Sequence, residues 1–162
     1  MKKLRKILAI LSHITLALLI VLAIAYHYRT DPIQLLSGKR LTGEEVAYPD
    51  SWDFTKDVEL VYVETRSESE PHSVTTACFL YQGEFYIPAY LASTKDWTAY
   101  ARVDPRARIK VGDVVYKVNL NYEAGMDPGL IREILSPKYP HFERGVPEDV
   151  VDLWAFRVTE RI

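Results

Sequence analysis

The sequence has few of the residues that build metal sites, disulfides and phosphate-binding loops. It contains one cysteine, Cys78, and four scattered histidines, so an intrachain disulfide is excluded and no metal-ligand spacing occurs. Only 7 of its 162 residues are glycine, and they form no glycine-rich phosphate loop. No nucleophile has a matched histidine and carboxylate. The sequence therefore offers no motif for metal-dependent, acid–base or nucleophilic catalysis.

Basic residues are scarce outside the N-terminus. Lys2, Lys3, Arg5 and Lys6 account for four of the 20 basic residues, and the rest of the chain holds 16 basic against 22 acidic residues, a net charge of −6. A negatively charged domain is unsuited to binding nucleic-acid phosphates. We therefore expect no nucleic-acid partner.

The long apolar run lies at residues 7–25, directly behind the basic cluster. Its 19 residues match a membrane-spanning helix and exceed the roughly 7 to 15 residues of a signal-peptide apolar region. Ala23-Ile24-Ala25 also resembles a cleavage site, so a cleaved signal segment stays open beside the uncleaved anchor that we favour. Both interpretations predict a cytoplasmic N-terminus and an exported domain, periplasmic or extracellular.

The rest of the chain predicts a single domain. An anchor or signal segment at 1–26 is followed by an irregular lead-in at 27–57, and the strands and helices of one core lie at 58–162. Trp52 and Phe54 are too apolar for a free linker, so we expect them to dock on this domain.

Alternating apolar residues predict six strands. Pro88 lacks a backbone donor, which predicts that the third strand ends or lies at a sheet edge there. Gly112-Asp113 fits a type II′ hairpin turn. That turn sets Ile109 opposite Tyr116 and gives the hairpin one core face and one solvent-exposed face. The predicted strands cover residues 57–66, 72–81, 84–90, 106–111, 114–118 and 150–160.

Two short helices are predicted between these strands. Ser93 and Asp96 have capping-box spacing before an amphipathic helix that ends at Asp104-Pro105. Asp127 before Pro128 predicts the start of a second helix. Hairpin-connected strands without βαβ crossovers are typical of a mainly β fold. We expect a small barrel of six or so mostly antiparallel strands behind one N-terminal transmembrane helix.

Two stretches, GEFYIPA at 83–89 and STKDWTAYARVDPRARIKVGDVVYKV at 93–118, are the most specific in the sequence. With the order of elements, they make residues 58–158 resemble the FMN-binding split β-barrel superfamily, which includes pyridoxamine-phosphate-oxidase-like flavoproteins and deazaflavin-dependent nitroreductases. The resemblance implies a homodimer that binds FMN or a deazaflavin between its subunits. It also implies an oxidoreductase, here tethered to a membrane through residues 7–25, in which the cofactor supplies the redox chemistry.

The resemblance places the cofactor against three segments: the end of the first strand, the start of the second, and the turn into the first helix. Hydroxyls and a lysine at a helix N-terminus suit an anionic phosphate. The same residues also fit ordinary roles as helix caps, a core anchor and surface charges. The candidate cofactor-binding residues are Thr65, Arg66, Ser73, Thr75, Thr76, Ser93, Thr94, Lys95 and Trp97.

The alternative function is a barrel without catalytic activity that binds haem, another small ligand or nothing. Glu68 and Glu70, in the turn between the first two strands, would repel a phosphate. In the haem version His72 or His141 would be an axial ligand.

Overall fold

Eight strands and three α-helices form the part of the chain that the computed structural model describes, residues 2–66, 68–140 and 152–161. Two 3₁₀ turns, Asp53–Thr55 and Ala92–Thr94, lie between them. In chain order the elements are α1 (Lys2–His27), β1 (Glu44–Val46), β2 (Leu60–Thr65), β3 (His72–Ala77), β4 (Phe79–Tyr81), β5 (Glu84–Tyr90), α2 (Asp96–Val103), β6 (Arg106–Val111), β7 (Val114–Tyr122), α3 (Pro128–Lys138) and β8 (Leu153–Glu160).

The strands follow the order β3-β2-β6-β7-β8-β5-β4, and each neighbouring pair is antiparallel. Only Cys78 separates β3 from β4, so one bent segment supplies both ends of the sheet. The sheet therefore curls into a barrel, and the predicted fold class is confirmed. The structure divides the predicted strand at 72–81 and adds β1, which pairs in parallel with β7.

The barrel has an open seam between β3 and the second half of β5. Residues 87–90 pair with β8 on one side, and within the described chain they have no strand partner on the other. Pro88, which has no backbone N–H to donate, lies in this segment, so its predicted edge position is confirmed. The hydroxyl of Thr76 crosses the seam and donates to the carbonyl of Pro88 at 3.2 Å.

The core consists of two apolar clusters. The larger fills the barrel and includes Trp52, whose ring stacks on Phe85 with centroids 4.4 Å apart, so the predicted docking of Trp52 is confirmed. The smaller lies between α3 and the sheet and contains Ile131 and Leu135. Asp127 caps α3 as predicted, since its side chain accepts from Leu130 N at 3.1 Å.

The lead-in corrects one prediction about the β6–β7 hairpin. Its register is as predicted, with Ile109 opposite Tyr116 and a positive φ of 60° at Gly112. Its second face, however, is not solvent-exposed: Arg108 is 7% exposed. Buried Leu41 of the lead-in contacts Arg108 on that face, and Glu45 of β1, which pairs beside β7, forms ion pairs with Arg108 and Lys117 there. The alternating pattern of the hairpin carries no sign of this cover, because the covering segment is distant in sequence.

The start of α2 corrects a second prediction. The helix begins at Asp96 with Lys95 in the N-cap position and no side-chain cap. The predicted capping box of Ser93 and Asp96 is wrong because Ser93 lies in a 3₁₀ turn, where its hydroxyl donates to the Asp152 carboxylate at 2.6 Å. The predicted stop before Asp104-Pro105 is confirmed.

Helix α1 contains a segment that is long and apolar enough to cross a membrane. Arg5–His27 has 23 residues and a mean hydropathy of 2.8, and its apolar stretch is not buried against the rest of the described chain. At 1.5 Å per residue it measures roughly 35 Å, against about 30 Å for the hydrocarbon core of a bilayer. A signal sequence has the same character. The division of the chain at residues 26 and 57 stays a prediction.

Candidate functional site

A pocket of about 340 Å³ opens at the seam of the barrel. Its walls come from β3, β5 and the first residues of α2, and residues 34–37 of the lead-in form part of its mouth. The volume lies at the lower end of the roughly 300–1,000 Å³ that is typical of small-molecule sites. We call it the seam pocket.

Four of the nine candidate residues line the seam pocket: Thr75, Thr76, Lys95 and Trp97. They come from β3 and from the beginning of α2, which the chain brings together although about 20 residues separate them. Trp97 is buried, and its ring lies 5.2 Å from that of Phe156 in the barrel core. This side chain is therefore a rigid wall of the pocket as well as a core residue.

The hydroxyls of Ser93 and Thr94 serve the fold next to the pocket. The Ser93 hydroxyl and backbone N–H both donate to the carboxylate of Asp152, which belongs to the segment before β8. Thr94 Oγ1 donates to the carbonyl of Leu91 at 2.7 Å. Neither residue lines the seam pocket.

The end of β2 also lies outside the pocket. Thr65 is buried, and its hydroxyl donates to the carbonyl of His72 at 3.4 Å. The guanidinium of Arg66 pairs with Glu70 at 2.7 Å and lies 4.7 Å from the ring centroid of Tyr100. Both side chains therefore have partners within the protein.

Two hydroxyls on β3 are buried without a hydrogen-bond partner among the described residues: Ser73 Oγ and Thr75 Oγ1. An unsatisfied buried hydroxyl costs about 1–3 kcal/mol. Ser73 lies against Gly38, where an added Cβ would approach its oxygen to 2.5 Å, so close packing accounts for its position. Thr75 lines the seam pocket, and no contact within the described chain satisfies its hydroxyl.

Charges of both signs line the pocket. Lys95 is exposed and forms no ion pair within the described part of the chain. It lies at the N-terminus of α2, where the helix dipole adds partial positive charge. Asp96 lines the same pocket and offsets part of that charge. The site can therefore bind an anionic group through Lys95, with less positive potential than a wholly basic site.

His72 lines the seam pocket too, and the sequence singled it out only as a haem ligand. Its ring meets the edge of Tyr100 at 5.6 Å between centroids. Burial lowers the pKa of His72 below its ordinary value, and Arg66 and Arg29 lower it further, whereas Asp96 opposes the shift. The imidazole is therefore neutral at pH 7.

We expect the free energy of unfolding to fall with His72 protonation as the pH drops below about 6.5, the ordinary pKa of histidine. Unfolded His72 binds a proton at a higher pH than folded His72 does, so protons favour the unfolded state. Urea unfolding between pH 7.5 and pH 5.5 measures the loss.

The His72→Gln variant should lose less stability over the same pH range. The other three histidines are present in both proteins and cancel in the comparison. Glu45, whose pKa is lowered by the hydrogen bond from Lys117, loses its contribution only below about pH 4.5. An equal loss in both proteins would contradict the role of His72.

A buried ion pair beneath the lead-in was not predicted from the sequence. Glu64 Oε2 accepts from Arg108 Nη1 at 2.8 Å and from Leu41 N at 2.6 Å, and Arg108 also donates to Leu41 O at 3.1 Å. The available signal was a charged residue within the apolar wall strand β2. These contacts fasten the lead-in to the barrel, and we call them the clamp.

Comparisons with solved structures agree with this architecture. A NimC/NimA family protein from Clostridium acetobutylicum superposes with a TM-score of 0.50 at 16% identity, over 64% of this chain and 75% of that one. A protein of unknown function from Agrobacterium tumefaciens also scores 0.50, at 13% identity over 64% and 49%. A FAD-binding protein from Mesorhizobium loti scores 0.47, at 12% identity over 66% and 84%.

The TM-scores of 0.50 show a shared fold, and at these identities they show the fold alone. The split β-barrel fold that the resemblance over residues 58–158 implied is therefore confirmed. No family model matches the sequence, and no curated protein matches it significantly.

Proposed function

We propose that this protein is a membrane-tethered oxidoreductase that binds a flavin- or deazaflavin-type cofactor in the seam pocket. One observation carries the proposal: the pocket joins Lys95 to the buried hydroxyl of Thr75, and neither group has a partner among the described residues. Such a cofactor supplies hydride or electron transfer when bound, and the protein binds and orients it.

The residues of the pocket fit this kind of ligand. Lys95 and the N-terminus of α2 would bind a phosphate. The Thr75 hydroxyl would donate to a polar atom of the ligand and so satisfy its own hydrogen bond. Trp97 would hold an apolar part of the ligand in place, because its own position is fixed by the core. Pro88 and Ala89 on β5 complete an apolar wall opposite β3.

Removing Lys95 should weaken cofactor binding without unfolding the protein. A charge-assisted contact contributes about 1.5–3 kcal/mol, so Lys95→Ala should raise the Kd for FMN or a deazaflavin roughly ten- to a hundredfold. The side chain is exposed, so the free energy of unfolding should change by less than about 0.5 kcal/mol. Fluorescence titration with each cofactor measures the Kd.

Lys56→Ala is the matched control, because Lys56 is an exposed lysine whose ion pair with Asp53 is local and which does not line the pocket. Equal Kd values for the two variants would remove Lys95 from the site. If the wild-type protein bound neither cofactor saturably at micromolar concentration, the oxidoreductase proposal would be wrong.

We also propose a homodimer in which the second subunit completes the site. The seam leaves one edge of β5 without a strand partner in the described chain. Leu60 at the start of β2 and Leu91 directly after β5 are both exposed. Analytical ultracentrifugation of the protein in detergent should give the mass of two chains. A single chain at micromolar concentration would contradict the dimer and the shared cleft.

The tether is part of the same proposal. Helix α1 supports it by its length and apolar surface, and the four N-terminal cations favour a cytoplasmic N-terminus with the barrel exported.

Haem binding is a second candidate, favoured by the neutral imidazole of His72 in the pocket wall. Its ring nitrogens make no hydrogen bond within the described chain, which leaves them available as a ligand. His141, the other candidate ligand, lies outside the described residues. The absorption spectrum of the purified protein separates the candidates: flavin bands favour the oxidoreductase, a Soret band favours haem, and a colourless protein that binds neither favours a barrel without a cofactor.

A further inference from the structure

Residues 30–39 form a small hairpin directly after α1, and we call it the entry hairpin. At its base Lys39 N donates to Thr30 O at 2.6 Å. Nearer its tip Ile33 and Leu36 exchange both backbone hydrogen bonds, at 3.0 and 2.9 Å. Gln34 has a positive φ of 50° and makes the turn. The tip of the hairpin is therefore formed by residues 34 and 35.

The tip of the entry hairpin is apolar and uncovered. Leu35 is fully exposed, Ile33 is 64% exposed and Leu36 is 57% exposed. Three adjacent large apolar side chains in water are unfavourable, and a patch of this kind marks a contact surface. Nothing in the described residues covers these three side chains.

The base of the entry hairpin is fixed to the end of α1. Lys39 Nζ donates to His27 O at 2.6 Å, and Arg29 donates to Tyr26 O at 2.7 Å and to Ser37 O at 2.6 Å. The apolar segment of α1 ends at His27. About three residues per arm, at roughly 3.3 Å each, place the tip about 10 Å from the base of the hairpin, which is bonded to that end. The headgroup layer of a bilayer is roughly 5–8 Å deep on each side, so a hairpin that runs along the bilayer surface keeps its tip inside this layer.

The residues around this junction suit a bilayer surface. Tyr26 and Tyr28 are exposed at the end of α1, where aromatic side chains line the membrane–water interface. Arg29 and Lys39 add positive charge, which complements anionic headgroups. One short segment therefore combines an apolar tip, aromatic rings and cations, which suit the edge of the acyl chains, the membrane–water interface and the anionic headgroups.

We propose that the entry hairpin contacts the same membrane that α1 enters, with Ile33, Leu35 and Leu36 in its headgroup region. This inference rests on the tether in the proposed function. Continuity with α1 favours lipid over a second copy of the chain, because the base of the hairpin is bonded directly to the end of the apolar helix.

The contact has a consequence for the seam pocket. Residues 34–37 of the entry hairpin form part of the pocket mouth, and the next residue, Gly38, exchanges backbone hydrogen bonds with Ser73 of β3 at 2.8 and 3.2 Å. The hairpin is therefore fixed to α1 at one side and to the pocket wall at the other. The mouth of the pocket opens at the bilayer surface, where molecules dissolved in the membrane have direct access to it.

Site-specific fluorescence in the full-length protein tests the proposal. Leu35→Cys is labelled with an environment-sensitive fluorophore, and Val103→Cys on α2, whose side chain is 88% exposed, is the matched control. Cys78 is buried, so the unsubstituted protein provides the labelling blank. The protein is incorporated into phospholipid vesicles and floated on a density gradient. Nitroxide-bearing lipids should quench most of the emission at position 35 and little at position 103, and aqueous iodide should do the reverse.

Each other outcome overturns the inference. If the floated protein shows equal iodide quenching at positions 35 and 103, the hairpin lies in water and the tether alone stands. If position 35 is shielded from both quenchers, protein covers it, as in a dimer contact. If the protein fails to float, the tether and the hairpin contact are both wrong, while cofactor titration still reports on the pocket.

Discussion

Replacing Ile109 by aspartate is expected to unfold the protein. Ile109 is 0% exposed, lies on β6 and belongs to the apolar cluster inside the barrel. The register places it opposite Tyr116 and, on the other neighbouring strand, opposite Val63, so neither facing residue is a cation that could neutralise a carboxylate. An unpaired carboxylate in that position costs several kcal/mol. Small domains have only about 5–15 kcal/mol of stability, so one such charge removes much of it.

Near-UV circular dichroism and tryptophan fluorescence of the full chain in detergent measure this effect. Val103→Asp is the matched control, since it also replaces a β-branched apolar residue but at an 88% exposed position. It should cost no more than about 1 kcal/mol, including the unfavourable negative charge at the end of α2. Similar losses in both variants would show that Ile109 does not face the core.

The second large effect is expected from the clamp. Arg108→Met should lower the free energy of unfolding by about 3–5 kcal/mol, because it leaves a buried carboxylate without its counterion. Glu64 is 0% exposed, and its Oε1 already lacks a hydrogen-bond partner in the described chain. The substitution also removes the donor to Leu41 O. Urea unfolding followed by tryptophan fluorescence gives the loss.

Two further variants separate charge pairing from packing at the clamp. Replacing both partners, in Glu64→Leu/Arg108→Met, should cost less than Arg108→Met alone, because an apolar pair leaves no buried charge. Together with Glu64→Leu it completes a double-mutant cycle. Arg106→Met breaks the half-exposed ion pair with Asp104 and should cost less than about 1 kcal/mol. If Arg108→Met cost no more than Arg106→Met, the clamp would be unimportant for stability.

The clamp also links stability to the site. Leu41 follows the entry hairpin by two residues, and the hairpin supplies the mouth of the seam pocket. Loss of the clamp frees one end of the segment that holds this mouth in place. A variant that keeps the barrel but loosens the lead-in is therefore expected to bind its ligand less tightly.

Part of the candidate site could be predicted from the sequence. One pocket is lined by four of the predicted residues, Thr75, Thr76, Lys95 and Trp97. The motif at 93–118 indicated the fold, and in this fold strand β3 and the start of helix α2 lie next to each other. Ser93 and Thr94 were grouped with them by proximity in sequence. The carboxylate of Asp152, 59 positions away, holds Ser93 outside the pocket, and no local pattern indicates that contact.

The sequence by itself determined the elements whose contacts are local. The β6–β7 hairpin has its predicted register because a two-residue turn and alternating side chains act over a dozen residues. Pro88 lies at an edge because the missing N–H is a property of the residue itself. The apolar length of α1 likewise needs no partner to be recognised.

Only the tertiary structure decided what covers the barrel and what surrounds the pocket. Glu64 and Arg108 are 44 positions apart, and Asp31 and Lys110, paired at 2.6 Å, are 79 apart. The lead-in takes part in both pairs: it supplies Asp31 to one, and its Leu41 hydrogen-bonds to both members of the other. Side-chain burial, the lowered pKa of His72 and the mouth of the seam pocket all arise where distant segments meet. Such contacts depend on the packing of the whole chain, whereas the periodicity of a sequence reports only on residues that are close together along it.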